Sequence, residues 1–97
     1  EEALGVNTRV QLSEVQTGIQ ARILTDLMLS GVTIENPQQT TIHFGAKIGR
    51  DTVIRPFTVI EGNVVIGENC MIEPFTNVTG PRTIPDGTTL TGRTSQP

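Results

Sequence analysis

The sequence predicts an all-β solenoid, a parallel β-helix of six-residue units in about three coils, preceded by one α-helix. Three observations lead to this fold class. An aliphatic residue recurs at every sixth position, a small residue stands two positions before most of these, and longer stretches repeat after 18 residues. The aliphatic series comprises Ile42, Ile48, Ile54, Ile60, Ile66, Ile72, Val78, Ile84 and Leu90.

A period of six excludes the ordinary regular structures. The faces of an α-helix repeat at three to four residues, and a flat half-buried strand buries every second residue. A β-sandwich of short strands is the remaining alternative, but it does not explain an unbroken series in one register. Each unit therefore consists of an inward, an outward and an inward position, followed by a three-residue corner.

The first inward position of each unit is small. Strand alternation sends it to the same side as the aliphatic residue. These positions hold Thr40, Ala46, Thr52, Thr58, Val64, Cys70, Thr76 and Thr88, with Arg82 as the exception. We expect the backbone near Gly80 and Pro81 to swing outward in order to accommodate Arg82.

Three units close one triangular coil, so residues 18 apart should stack. Residues 54–59 match residues 72–77 in this way, and both stretches contain a Pro-Phe-Thr segment. The spacing of the repeats does not determine the hand of the coil. Parallel crossovers in general are nearly always right-handed.

One helix is expected before the repeat, over about residues 14 to 29. Ser13 is placed to cap it, Gln16 follows three residues later, and Gly31 supplies the stop. Its apolar stripe comprises Val15, Ile19, Ile23 and Leu27. This stripe must cover the side of the β-helix, another subunit or a domain absent from the chain. Residues 32–41 break the six-residue register and predict an irregular start to the first coil.

Five apolar residues are predicted to face outward in one neighbourhood, and we call them the corner patch. They are Val53, Phe57, Val59, Met71 and Phe75. A contiguous exposed apolar group is typical of a contact surface. The sequence therefore predicts that the corner patch is an oligomer contact or the dock of the helix.

Composition narrows the function classes. The net charge of -3 argues against nucleic-acid partners and against anionic membrane surfaces. No apolar run approaches the roughly 20 residues that span a bilayer, and no signal peptide is visible. The single cysteine, Cys70, fits a reducing cytoplasm and is expected to be a buried filler. Because the chain starts at Glu1, we expect a piece of a longer protein.

The single histidine, His43, is expected on the first corner. A general base of a hexapeptide acyltransferase would be a histidine in a cleft between subunits. A solvated corner is the simpler interpretation. A three-histidine zinc site is excluded.

The order of parts sharpens the interpretation. Residues 5–12 (Gly-Val-Asn-Thr-Arg-Val-Gln-Leu), the helix, residues 31–37 and then the repeat together resemble the junction of one enzyme family. This family is the bacterial N-acetylglucosamine-1-phosphate uridyltransferases, usually fused to a glucosamine-1-phosphate acetyltransferase. The resemblance implies a left-handed β-helix over residues 32–97, a linker helix over 13–31 and a homotrimer. Residues 1–12 would be the tail of a missing nucleotidyltransferase domain.

The resemblance also carries expectations about sites. Asn7 matches an asparagine that helps to hold the catalytic Mg²⁺, so it would act as a metal ligand only together with the missing domain. The catalytic histidine and the acetyl-CoA contacts of the acetyltransferase half lie on later coils than those present here. We therefore expect no complete active site in this chain.

The leading hypothesis is the assembly segment of a sugar-nucleotide uridylyltransferase. The parent enzyme would convert UTP and N-acetylglucosamine 1-phosphate to UDP-N-acetylglucosamine, a cell-wall precursor, and pyrophosphate. One alternative is a stand-alone hexapeptide scaffold or partner-binding protein. A second is a minimal acyltransferase that depends on His43.

Overall fold

The computed structural model describes residues 2–92, with side chains described from Thr8 onward. In this part of the chain, one helix, α1 (Glu2–Leu29), precedes ten short strands and one 3-10 turn (Pro37–Gln39). The strands are β1 (Thr33–Ile34), β2 (Thr40–Ile42), β3 (Lys47–Ile48), β4 (Val53–Ile54), β5 (Thr58–Glu61), β6 (Val64–Ile66), β7 (Met71–Ile72), β8 (Asn77–Thr79), β9 (Arg82–Ile84) and β10 (Thr89–Leu90).

The strands form three parallel sheets, with the orders β1-β4-β7-β10, β2-β5-β8 and β3-β6-β9. Each coil contributes one strand to each sheet, so the chain winds around a triangular core. Val53 pairs with Met71, and Ile48 pairs with Ile66. This is the predicted stacking at 18 residues, and the predicted solenoid is confirmed.

The inward positions behave as the six-residue pattern predicts. Every residue of the aliphatic series is buried except Ile48, which is half-buried against the same core. The inward threonines Thr40, Thr52, Thr58 and Thr76 are buried as well. The inward residues of successive coils stack on one another, so a narrow core is enough to bury them.

The hydroxyl groups of three inward threonines donate hydrogen bonds to backbone carbonyls, which the sequence pattern did not predict. The Oγ1 atoms of Thr58 and Thr76 donate to the carbonyls of Arg55 and Glu73, three residues earlier, at 2.7 and 2.6 Å. Thr88 makes the same contact with Pro85 at 2.7 Å. These hydroxyls thus satisfy corner carbonyls that strand pairing does not reach.

The first coil is longer than the coils that follow it. Ile34 pairs with Ile54, 20 residues later, whereas Ile54 pairs with Ile72 after 18. The 3-10 turn at Pro37–Gln39 takes up the difference. The irregular start predicted for residues 32–41 is confirmed, and Ile34 already occupies a buried inward position within it.

The predicted start of the helix is wrong. Helix α1 begins at Glu2 and runs through Ser13, which the sequence pattern placed at the cap. No proline interrupts the residues before Ser13, and most of them are compatible with a helix, so nothing local stops the helix there. The assignment of residues 1–12 to a missing domain stays a prediction.

The predicted end of the helix is confirmed. Gly31 has a φ of 108°, its amide donates to the carbonyl of Met28, and the amide of Val32 donates to that of Leu27, both at 3.1 Å. This pair of bonds is the Schellman motif, which favours glycine at the left-handed position.

Among the described side chains of helix α1, those in its C-terminal half pack on the first coil. Leu24 is buried, and Ile23 and Leu27 pack against the same core. Val15 and Ile19, which complete the predicted stripe, are exposed. The helix therefore covers the N-terminal end of its own β-helix, near β1 and β2, and leaves the first part of its stripe uncovered. Within residues 2–92, no helix combines the length and the apolar character needed to cross a membrane.

Candidate assembly surface

The corner patch centres on two stacked aromatic rings. Phe57 and Phe75 occupy equivalent corners of successive coils, with 5.0 Å between ring centroids and 7° between ring planes. The corner joins the sheet β1-β4-β7-β10 to the sheet β2-β5-β8. The rings remain 48% and 72% exposed, so the stack presents apolar area to the surroundings.

The backbone at this corner is in the left-handed region, with φ of 63° at Phe57 and 61° at Phe75. Bulky residues rarely adopt this conformation, which costs of the order of 1–3 kcal/mol for a residue other than glycine. The equivalent positions of another corner hold Asp51, Asn69 and Gly87, which tolerate it better. Aspartate, asparagine or glycine would fit this corner with less strain. The presence of phenylalanine at both positions therefore indicates that the rings themselves have a role.

The other members of the corner patch flank the stack. Val53 and Met71 are in register on the outer face of one sheet, and both are half-buried. Val59 lies on the adjoining face, also half-buried. The structure thus brings all five predicted residues together around one corner. Their role as an oligomer contact stays a prediction.

A ladder of charges runs beside the patch at the same corner. The guanidinium of Arg55 contacts Glu35 at 3.3 Å and Glu73 at 3.2 Å, so one residue from each of three coils takes part. The hydrogen bond and charge of Glu35, followed by those of Glu73, raise the pKa of Arg55. Because the pKa of Arg55 is raised in the folded chain, its contribution is lost only as the pH rises past the ordinary pKa of arginine. The ladder therefore persists throughout the physiological range and forms a polar rim beside the rings.

His43 is exposed at the first corner and is used by its own turn. Its Nδ1 atom accepts a hydrogen bond from the amide of Gly45 at 3.0 Å, and its ring meets Phe44 edge-on, with 4.4 Å between centroids. This arrangement orients the imidazole as part of a turn.

Cys70 is buried and free, as the sequence predicts for an inward filler. Its Sγ atom lies 3.2 Å from the carbonyl oxygen of Pro85.

The backbone at Arg82 does not swing outward, contrary to the prediction from the sequence. It pairs in register with the buried Val64 on the neighbouring coil, and its side chain is half-buried. The strand holds its course because three residues of β9, up to the buried Ile84, pair with β6. The outward swing expected near Gly80 is therefore wrong.

The described residues do not fit a magnesium site. Asn7 lies on α1, but its side chain falls outside the described part. Among the side chains from Thr8 to Gly92, no three histidine, cysteine, aspartate or glutamate residues gather to hold a metal. Magnesium requires octahedral oxygen ligands, and one amide does not supply them.

Two exposed apolar features were not predicted from the sequence. Phe44 is 70% exposed on a different corner, and nothing at the equivalent positions 62 and 80, both glycine, repeats it. On α1 the residues Val10 and Leu12 are exposed together with the first part of the predicted stripe. The absence of a repeat hid Phe44, and the misplaced helix start hid the two helical residues.

Comparison with known proteins gives one family match and many relatives. Residues 45–80 match the bacterial transferase hexapeptide family (six repeats). The bifunctional protein GlmU of Fervidobacterium nodosum is 54% identical over 61 residues, which cover 63% of this chain and 14% of that protein. The GlmU proteins of Listeria welshimeri and of a Geobacillus species are 49% and 51% identical over 65 residues, which cover 67% of this chain and again 14% of each relative. The chain thus spans 14% of the length of these relatives.

Proposed function

Because the repeat region of this chain is related to the hexapeptide region of the bifunctional GlmU proteins, we propose that the chain is the assembly segment of a sugar-nucleotide uridylyltransferase. In this proposal the β-helix holds three copies together in the cytoplasm. The catalytic domain that the family resemblance implies would be carried by the longer protein.

One observation carries the assembly role, namely the exposed stack of Phe57 on Phe75. Each ring sits where the backbone disfavours it, and the stack leaves much of both rings uncovered. Burying this area against another copy would recover about 25 cal/mol for each Å² removed from water. The flanking Val53, Met71 and Val59 extend the apolar area, while the Arg55 ladder supplies a charged border.

A closed ring of identical copies suits this geometry. The corner patch lies between two sheet faces of the same copy, so one copy offers it to a neighbour at an angle. Rotational symmetry closes such contacts into a ring and limits the assembly to a fixed size. We take the size of the ring as three, as the family resemblance implies.

The proposed chemistry of the parent is the transfer of a uridylyl group from UTP to N-acetylglucosamine 1-phosphate, with release of pyrophosphate. No residue of this chain is assigned a step in that reaction. The Mg²⁺ expected for the parent belongs to the same missing part, since the described residues do not fit it.

The experiment replaces both rings, as Phe57→Asp with Phe75→Asp, and measures molar mass by light scattering coupled to gel filtration. Aspartate tolerates the left-handed backbone, so the corner keeps its shape while a charge replaces each ring. We expect the unmodified chain to elute as three copies and the double variant to elute as one.

The matched control is Phe44→Asp. Phe44 is as exposed as Phe75 but lies on another corner, so this variant should remain a trimer. A double variant that keeps the trimer would refute the assignment of the corner patch. An unmodified chain that is already monomeric would refute the assembly role itself.

A further inference from the structure

The corner patch offers less area than a stable contact between two copies needs. An aromatic side chain buries roughly 150–250 Å², so the exposed fractions of Phe57 and Phe75, 48% and 72%, leave about 200–300 Å² for a neighbour. The other three members of the patch are half-buried and each adds less. A specific interface covers about 800 Å² on each partner. A stable ring therefore needs further apolar area that is continuous with the corner patch.

Helix α1 carries exposed apolar area of this kind. Leu12, Val15 and Ile19 are each more than half exposed, and their spacing of three and four residues places them on one side of the helix. Ile23 continues the same side four residues later and packs against the core. We call Leu12, Val15 and Ile19 the helix patch. It extends the apolar surface from the core outward along α1.

The helix patch lies above the same sheet face as one end of the corner patch. Ile19 and Thr41 line one surface hollow. The side chain of Gln20 bonds to the carbonyl and the amide of Ile42 at 2.7 and 3.0 Å, which fixes this part of α1 over β2. Thr41 is exposed on the outer face of β2 and is in register with Val59 of the corner patch on the next coil. A continuous strip of surface thus runs along the solenoid from Ile19 through Thr41 to Val59.

We propose, building on the assembly role in the proposed function, that the helix patch is the second part of the contact between copies. Its partner is the same neighbouring copy of this chain that covers the corner patch. The stack of Phe57 on Phe75 runs from coil to coil, along the solenoid. A rotation axis parallel to this direction keeps equivalent residues at the same level, so the helix patch meets the neighbour at that copy's own α1 and first coil.

The test is Val15→Asp, with sedimentation over a series of concentrations as the measurement. In a separate copy the new carboxylate remains in water, but in the ring it would be buried against an apolar neighbour. We expect the concentration at which half of the trimer dissociates to rise at least about tenfold. Circular dichroism of the same samples checks that α1 remains helical.

The matched control is Val10→Asp, which makes the same substitution on the same helix. Val10 is 56% exposed and Val15 is 57% exposed. Val10 lies five residues earlier, about 140° around the helix, and so faces away from the helix patch. This variant should dissociate within about twofold of the unmodified chain. Equal shifts in the two variants, or no shift in Val15→Asp, would overturn the assignment of the helix patch.

A second measurement separates this proposal from the assembly role itself. An environment-sensitive dye is attached to the exposed thiol of a Val15→Cys variant, because Cys70 is buried and reacts poorly. Its emission should move to shorter wavelength as the trimer forms, and should stay unchanged when Phe57→Asp and Phe75→Asp are added. A trimer whose dye reports water at every concentration would refute the helix patch alone. An unmodified chain that stays monomeric would refute the assembly role and the helix patch together.

Discussion

At the scale of single residues, the inward threonines combine two duties. Thr58 is fully buried, which fills the narrow core, and its hydroxyl satisfies the carbonyl of Arg55 at the preceding corner. A buried carbonyl without a partner costs about 1–3 kcal/mol. Valine fills the same space but cannot donate, which explains why threonine is so frequent at these positions of the chain.

We therefore expect Thr58→Val to lower the free energy of unfolding by about 1–2 kcal/mol, because the carbonyl of Arg55 loses its donor. Urea denaturation followed by circular dichroism provides the measurement. Thr41→Val is the matched control, since Thr41 is exposed on the outer face of β2 and surface changes usually stay within about 0.5 kcal/mol. Equal effects of the two substitutions would contradict the role of the hydroxyl.

At the scale of elements, helix α1 and the coils respond to a methyl group in opposite ways. A Cβ added at Gly18, near the middle of α1, meets no atom within 4 Å. A Cβ added at Gly67, on a corner, would approach the amide nitrogen of Asp86 on the next coil to 2.7 Å. Helices lose stability through glycine, whereas stacked corners depend on its small size.

Gly18→Ala should accordingly raise the free energy of unfolding by about 0.5–1 kcal/mol, since it restores helix propensity without a clash. Gly67→Ala should lower it, because backbone atoms at a stacked corner cannot move aside. Thermal melts of the two variants measured side by side test both signs. If Gly18→Ala proves neutral, α1 contributes little to the cooperative unfolding of the chain.

Features of the fold and of the candidate site could be predicted from the sequence where the residues that form them recur at a fixed spacing. The six-residue series places the strands, and the 18-residue spacing correctly predicts that Phe57 stacks near Phe75. The hydrogen bonds between the side chain of Gln20 and the backbone of Ile42 have no sequence signal, because a glutamine on a helix ordinarily faces water. The start of α1 was predicted wrongly because a cap pattern inside a helix looks the same as one at its end. Ser13 fits a cap pattern, yet capping also depends on what the preceding residues do.

At the scale of the whole molecule, residues 2–92 form a row of similar coils with helix α1 at the N-terminal end. Neighbouring coils supply each other's hydrogen bonds and core, so stability in such arrays is close to a sum over nearest neighbours. Helix α1 replaces the missing neighbour at the first coil. Its exposed residues Leu12, Val15 and Ile19 continue beyond the area that the coil occupies.

The proposed function predicts a longer native polypeptide. An antibody raised against residues of the β-helix should detect, in extracts of the source cells, a species larger than this chain by at least a nucleotidyltransferase domain, roughly 200 residues or more. Intact-mass spectrometry of the captured species provides the second readout. A native species of 97 residues would instead favour the stand-alone scaffold.

The 18-residue register of paired strands also determines how such a chain can change length. An insertion of 18 residues adds one full turn, lengthening the axis by about 4.8 Å, the spacing between paired strands, and leaves every side of the prism pointing in its original direction. An insertion of six residues adds length too, but it rotates everything that follows by one third of a turn. A gene for this fold can therefore grow by whole turns without disturbing its lateral contacts, whereas a single extra unit between Phe57 and Phe75 would send the two rings to different edges of the prism.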